Sequence, residues 1–222
     1  LQLNNLVGSY VEIEITGKTH IIGELVDIGL DVLVIFDGKK YLYIPLIHMH
    51  SIIKTEQVDE SNLNNSDPSN IKDSSDSISY RKILNNAKGR FVEISVTGNQ
   101  SIHGYITRVL NDYFIFYSPI YRTMFISLNH LKWLAPYRTN LTPYTLDDQT
   151  LPIQLSNIPI SRTFEEQIKK QENKLVVFDM GNHANKIGLL HSVNNDNIIK
   201  LIKANGEPIY LKLAHIKSMH LP

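Results

Sequence analysis

Asn4-Asn5-Leu6-Val7-Gly8-Ser9-Tyr10-Val11-Glu12-Ile13 returns later in the chain as Asn85-Asn86-Ala87-Lys88-Gly89-Arg90-Phe91-Val92-Glu93-Ile94. Both stretches run on to Thr-Gly (Thr16-Gly17, Thr97-Gly98), to a second glycine (Gly23, Gly104) and to an aspartate (Asp31, Asp112), all at one constant offset. A fainter third copy places Gly181, Gly188 and Asp196 in the same order. Each copy closes on a Leu/Ile-rich phrase with a histidine: Leu46-Ile47-His48-Met49, Leu128-Asn129-His130-Leu131 and Leu213-Ala214-His215-Ile216. Landmarks recurring three times in one order mark an internal repeat of about 50 residues.

Each copy reads as five short strands. Val11-Glu12-Ile13-Glu14-Ile15 alternates apolar and polar, the period of a half-buried strand. Gly17 supplies the turn that follows, because glycine takes positive φ without penalty. Gly23 falls inside the second strand, where a glycine marks a bend or bulge. Val32-Leu33-Val34-Ile35-Phe36 is a continuous apolar third strand, Asp37-Gly38 is a hairpin turn, and Tyr41-Leu42-Tyr43-Ile44 is a fourth strand ended by Pro45. The histidine phrase gives one tight turn and a short fifth strand, Ser51-Ile52-Ile53. The second copy repeats the plan with Tyr113–Tyr117 and Thr123–Ile126, the third with Asn197–Ile202 and Ile209–Leu211. The fold expected is all-β: three tandem small five-stranded barrels over residues 1–54, 79–136 and 161–222, each a strongly bent antiparallel sheet.

Short helices precede the later copies. Ser79–Leu84 is one. Thr163–Lys170 is the other, with Thr163 and Glu166 spaced as a capping box and Phe164 and Ile168 on one face. Between the copies, residues 55–78 are polar, acidic and poor in aromatics, a composition too weak in burial to offset ordering entropy. Residues 137–160 carry Pro143, Pro152 and Pro159 among Leu, Ile and Tyr, the composition of an extended segment laid on a surface.

Composition narrows the function. Lys+Arg and Asp+Glu both number 22, so the net charge is zero. A protein that wraps nucleic acid needs a surplus of basic residues. The absence of cysteine excludes disulfides and thiolate metal sites. No apolar run approaches the ~20 residues of a membrane span. The opening Leu1-Gln2-Leu3-Asn4-Asn5-Leu6 lacks the basic segment and apolar core of a signal peptide, so the expectation is a protein made in the cytoplasm.

The chemistry candidates are few. His48, His130 and His215 occupy one repeat position; they either fix the tight turn before the last strand or form a ligand-contacting rim. His48 and His50, two apart, share a face on a strand and could hold a metal, though no third ligand stands nearby. Asp31, Asp112 and Asp196 fall between strands and read as turn formers whose carboxylates bond local N–H groups. Glu12 and Glu93 alternate with core residues and should face solvent. The second copy is rich in aromatics (Tyr105, Tyr113, Phe114, Phe116, Tyr117, Tyr121, Phe125, Trp133) with Arg108 and Arg122 among them. That is either a core with an interaction surface or a stacking platform for single-stranded nucleic acid. No carboxylate dyad, Ser–His–Asp order or phosphate-cradling loop emerges, so neither enzyme activity nor a cofactor is expected.

Two families are similar on these residues. The order glycine, bent second strand, aspartate, apolar third strand, then histidine before the last strand (His48, His130, His215) resembles the Sm-like fold, which includes the RNA chaperone Hfq. The lysine that precedes this histidine in Hfq is replaced here by Ile47, Asn129 and Ala214. The phrases Tyr41-Leu42-Tyr43-Ile44 with His48-Met49-His50-Ser51-Ile52, and Tyr210-Leu211 with His215-Ile216-Lys217-Ser218, resemble the repeated domain of the Bacillus spore coat protein B (CotB) family. That resemblance implies a structural protein of the endospore coat, with other coat proteins or itself as partners and no membrane. The Sm-like resemblance implies RNA binding as the alternative.

Overall fold

In a computed structural model the chain is mostly β, and residues 2–56, 78–98, 100–138, 143–145 and 159–222 are described. The first copy of the repeat holds β1 (Tyr10–Ile15), β2 (Thr19–Ile28), β3 (Val32–Phe36), β4 (Tyr41–Pro45) and β5 (Met49–Lys54). The second holds α1 (Tyr80–Asn86), β6 (Phe91–Ser95), β7 (Ser101–Val109), β8 (Tyr113–Ser118), β9 (Arg122–Ser127) and β10 (Trp133–Pro136). The third holds α2 (Phe164–Lys169), β11 (Leu175–Phe178), β12 (Ile187–Val193), β13 (Ile198–Ile202), β14 (Pro208–Lys212) and β15 (Ser218–His220). The strands expected from periodicity are therefore present, most of them one to three residues longer.

Alternation decides which side chains go in. Val11, Ile13 and Ile15 of β1 are buried while their neighbours are partly exposed. In β8 every residue is buried, so both of its faces are covered. The second strand of each copy carries the same irregularity. The ladder shifts register at Leu25/Asp27, Ile106/Arg108 and Leu190/Ser192, in each case just after the strand glycine. That glycine lets the third strand approach. A Cβ on Gly23, Gly104 or Gly188 would lie 2.3, 2.1 or 2.3 Å from the carbonyl oxygen of Phe36, Tyr117 or Ile202. Bulge and glycine together give the bend that the sequence suggests.

Three separate barrels, closed or nearly closed, are not what the strand pairing shows. In each repeat the fifth strand pairs with the first (β5 with β1, β10 with β6, β15 with β11), and among the described residues it does not pair with its own fourth strand. The chain divides into two compact units, Leu1–His103 with Lys132–Thr145, and Gly104–Leu131 with Leu146–Pro222. In the first unit β10 of the second repeat pairs with β4 of the first, giving the order β6-β10-β4-β3-β2-β1-β5. In the second unit β15 of the third repeat pairs with β9 of the second, giving β14-β13-β12-β11-β15-β9-β8-β7. The fourth-strand edge of one repeat is thus taken by the fifth strand of the next, and the sheet stays open.

The cores follow these joins. In the first unit Ala135 and Trp133 of the second repeat pack with Val11, Ile13, Leu33, Ile35 and Ile44. In the second unit Tyr113, Ile115 and Phe125 pack with Phe164, Ile168, Val176, Phe178 and Met219. The middle repeat contributes to both cores, which is why the division of the chain runs through it. Helix α2 starts on the expected cap, Thr163 Oγ1 accepting from the Glu166 amide at 3.3 Å, and Ser79 Oγ does the same for Lys82 at the start of α1.

A buried polar network fixes α2 to the second repeat. The single Tyr113 hydroxyl proton is shared between the Ser161 carbonyl at 2.6 Å and Gln167 Oε1 at 3.2 Å, and Gln167 Oε1 also accepts from the Ser161 amide at 2.7 Å. Burial, with the charge of Asp112 adding to it, pushes the Tyr113 phenol up to about 12, so the hydroxyl remains a donor. Tyr113→Phe leaves the Ser161 carbonyl without this donor and is expected to cost about 1–2 kcal/mol. Urea unfolding of the variant against the parent measures it; an unchanged midpoint would show the network to be idle.

The acidic linker falls mostly outside the described residues, at 57–77. Of the second linker, residues 137–138, 143–145 and 159–160 are described, and the Tyr144 ring meets Phe91 edge-on at 6.1 Å. The first turn of the third repeat is far longer than the one extra residue its glycine spacing implies. It runs from Asp179 to Lys186 as two short 3-10 turns.

Candidate functional site

The recurring histidine ends a one-turn 3-10 helix in every copy: Leu46–His48, Leu128–His130 and Leu213–His215. The tight turn expected there is present three times. Its surroundings are not equivalent. His48 is buried, with its Nδ1 3.3 Å from Thr16 Oγ1. His130 is half-buried, its Nδ1 3.2 Å from Ser127 Oγ. His215 is exposed. The exposure tracks what lies on the fourth-strand edge before each turn: β10 covers the first, β15 the second, and no described strand the third.

His50 Nε2 also lies on Thr16 Oγ1, at 3.4 Å. Among the described residues no group of three His, Asp or Glu side chains gathers as a metal site. Five of the eight aromatics of the second repeat (Tyr113, Phe114, Phe116, Tyr117 and Phe125) are buried. Their burial makes them core rather than platform.

Two aspartates correct the expectation of local turn formers. Asp31 Oδ1 accepts from the amide of Tyr80, the first residue of α1, at 2.6 Å. Asp112 Oδ1 accepts from the amide of Phe164, the first residue of α2, at 2.8 Å. In both loops a backbone amide adds a second bond to the chain just before the helix cap, Leu30 to the Ile78 carbonyl and Asn111 to the Arg162 carbonyl. The aspartate of one repeat therefore holds the helix that leads into the next. Asp196 stays in a local turn, its amide on Asn194 Oδ1, and the loop there is one residue longer: the Leu213 amide bonds Asn197, where its counterparts Leu46 and Leu128 bond Asp31 and Asp112. Glu93 is a further correction. It is half-buried and paired with Lys40, whose ammonium lies 4.9 Å from the centre of the Trp133 ring. Burial pulls the Glu93 carboxyl up, but hydrogen bonds from Lys40 and Ser101, with the charges of Lys40 and His103, hold it below its usual value. Glu12 pairs with His20 at 2.8 Å on the surface.

Asp179, which no motif marks, holds the third repeat's last strand where it meets the second repeat. It is buried at positive φ, and its Oδ1 accepts from the amides of Lys217 and Ser218 at 2.7 and 3.1 Å while Oδ2 pairs with Lys186 at 3.0 Å. It thereby fixes the start of β15; the carbonyl of Lys217, just before that strand, accepts from the amide of Ser127, the last residue of β9. Only its long-range partners reveal this role, and spacing does not carry them.

Two imidazoles at the same join predict a pH response. Burial holds His130 and His220 below the ordinary imidazole value; at His130 Lys217 and His215 push the same way and Asp179 opposes. His220 stacks edge-on against Tyr121, and among the described residues its Nδ1 has no hydrogen-bond partner. A depressed imidazole means that the unfolded chain binds more protons as pH falls through 6.5, so stability present above that value is lost below it. Thermal melting is expected at a lower temperature at about pH 5.5 than at about pH 7.5, and His220→Phe should flatten the dependence. Equal slopes in parent and variant would remove His220 from the account.

The residues that the sequence reading passed over are the edge positions. Tyr43, Phe125 and Tyr210 each stand five residues before the turn histidine, and Ile52, Leu134 and Met219 four after it. Leu134 lies opposite Tyr43, and Met219 opposite Phe125: one register used at both joins. Tyr43 and Phe125 are each 1% exposed, whereas Tyr210 is 63% exposed.

Comparison with known proteins adds two findings. The family described as YwrJ third domain matches residues 163–219. A protein of Bacillus subtilis (strain 168) named "Uncharacterized protein YwrJ" is 52% identical over 224 residues, covering 99% of this chain and 99% of its own length.

Proposed function

The chain belongs to the YwrJ family, and we propose that its members act as non-enzymatic assembly proteins of the bacterial endospore coat, working through protein–protein contacts. The observation that carries this reading is the strand-edge join, fourth strand to fifth, used at both repeat junctions in one register. A repeat that adds units by edge pairing is built to extend a sheet, and edge strands are templates for further pairing. The phrases similar to the CotB repeat supply the coat, which is an argument by analogy. In this reading each repeat is a small, strongly bent, Sm-like unit that shares its edges with its neighbours instead of closing on itself. No described helix is long and apolar enough to cross a membrane.

The test is timing and place. A tagged chain expressed from its own promoter should appear during sporulation and fractionate with the coat of purified spores. Its presence in growing cells and absence from spores would end the proposal. The alternative, Sm-like RNA binding, draws on the grouping of His130 with His215 and Lys217. It requires a gel shift with U-rich or A-rich RNA that weakens steeply with salt.

A further inference from the structure

We infer that the chain assembles with a second copy of itself, head to tail, by pairing the edge of β14 with the edge of β5. This rests on the assembly reading above and names its first partner.

Three repeats have three fourth-strand edges and three fifth-strand edges. Two of each are consumed inside the chain, β4 with β10 and β9 with β15. The remaining fourth strand is β14 and the remaining fifth strand is β5; among the described residues each pairs on one side only. They are the same two kinds of edge that already fit each other twice.

The side chains agree. Ile53 is 57% exposed, while its repeat counterparts Ala135 and His220 are 1% and 8% exposed. Tyr210 shows the same contrast with Tyr43 and Phe125. The exposed positions on the two free edges are those which a join buries. Proline and lysine at the ends of β14 do not argue otherwise, since β4 ends on Pro45 and β9 begins on Arg122 and both are joined. Proline and charge discourage pairing along an edge, but at its ends they leave the central residues available.

The register follows from the two existing joins: Tyr210 of one copy opposite Ile52 of the next, with Ile209 opposite Ile53. Because the two edges differ, the contact is heterologous. It closes into a ring or runs on as a filament.

The natural absence of cysteine makes the test direct. Chains carrying Tyr210→Cys and chains carrying Ile52→Cys are mixed and oxidised gently; in the control, Ile22→Cys, at an exposed position of β2, replaces Ile52→Cys, which is partly buried. Directly opposed strand residues lie within disulfide range, about 4.5–5.5 Å between Cα atoms. The expected result is a disulfide-linked heterodimer with Ile52→Cys at least tenfold above the control. In parallel, light scattering should show the parent chain as a dimer or larger, and Tyr210→Lys, whose circular dichroism is that of the parent, as a monomer. A parent that is monomeric at every concentration, an assembly unchanged by Tyr210→Lys, or equal cross-linking to Ile22→Cys would overturn the inference. A monomer that still fractionates with the spore coat would sink this join and leave the coat reading standing; a self-associating chain absent from spores would do the reverse.

Discussion

Gly104→Ala is expected to destabilise the second repeat strongly. The added Cβ would lie 2.1 Å from the Tyr117 carbonyl oxygen and 2.9 Å from the Phe116 ring. The first contact is with backbone, which no rotamer change relieves. β7 and β8 must separate at the point where the register shift between Ile106 and Arg108 bends the sheet. Overpacking of this kind costs about 1–3 kcal/mol, and the ladder bonds lost as the strands part place the expected value at the upper end or beyond. That is a large part of a total stability of about 5–15 kcal/mol. Gly89→Ala is the control. Gly89 has φ +75° with nothing within 4 Å of the added methyl, so it meets conformational strain alone, about 1 kcal/mol. Urea unfolding of both variants checks the ordering. If Gly89→Ala costs as much as Gly104→Ala, close approach is not why the strand glycine recurs. The same ordering should hold for Gly23→Ala and Gly188→Ala, because the contact with the third-strand carbonyl is the same.

These glycines show what the sequence could tell. Their fixed place between an alternating strand and an apolar one reports a local backbone event, and local events are written in spacing. The tight turn before the last strand and the capped helix at Thr163 were legible for the same reason. The aspartates were not. Asp31 and Asp112 look like turn residues because they stand in turns, but their partners Tyr80 and Phe164 lie 49 and 52 residues onward. No one-dimensional pattern says that the amide of a distant helix will arrive there. Glu93 was misread similarly: alternation placed it outward, and outward at that point is where the Asp37-Gly38 hairpin delivers Lys40. Separate barrels, closed or nearly closed, are the reading that periodicity gives, because alternation says which face of a strand is buried and nothing about which edge is occupied. A fourth strand that closes on its own fifth strand and one that joins the next repeat's have the same periodicity. The difference surfaces only in burial, where His48, His130 and His215 go from buried to exposed along the chain.

Phe125→Ala and Tyr210→Ala, each the removal of the aromatic at one repeat position, are expected to differ by most of the energy of a core aromatic. Phe125 is buried, packs 6.2 Å centre to centre against Tyr113, and lies opposite Met219 across the β9–β15 join. Its removal deletes a buried ring and leaves a cavity shared by the second and third repeats, at about 3–5 kcal/mol. Because that core also holds Phe164, Ile168 and Phe178, α2 and the third repeat should loosen together with β9. Hydrogen exchange is the sharper measurement: protection should fall in β15 and α2 as well as in β9, while β1 to β3 keep theirs. Tyr210 has the same place in the repeat with no described strand laid over it, and Tyr210→Ala should change the stability of the single chain by about 0.5 kcal/mol or less, as surface substitutions do. The comparison separates two views of the repeat. If a buried fourth-strand aromatic belongs to the repeat itself, both variants lose similar stability. If its burial is conferred by the neighbouring fifth strand, only Phe125→Ala is costly in the monomer, and Tyr210→Ala becomes costly once a second chain covers it. The second outcome would make the stability of each repeat a property of its junctions.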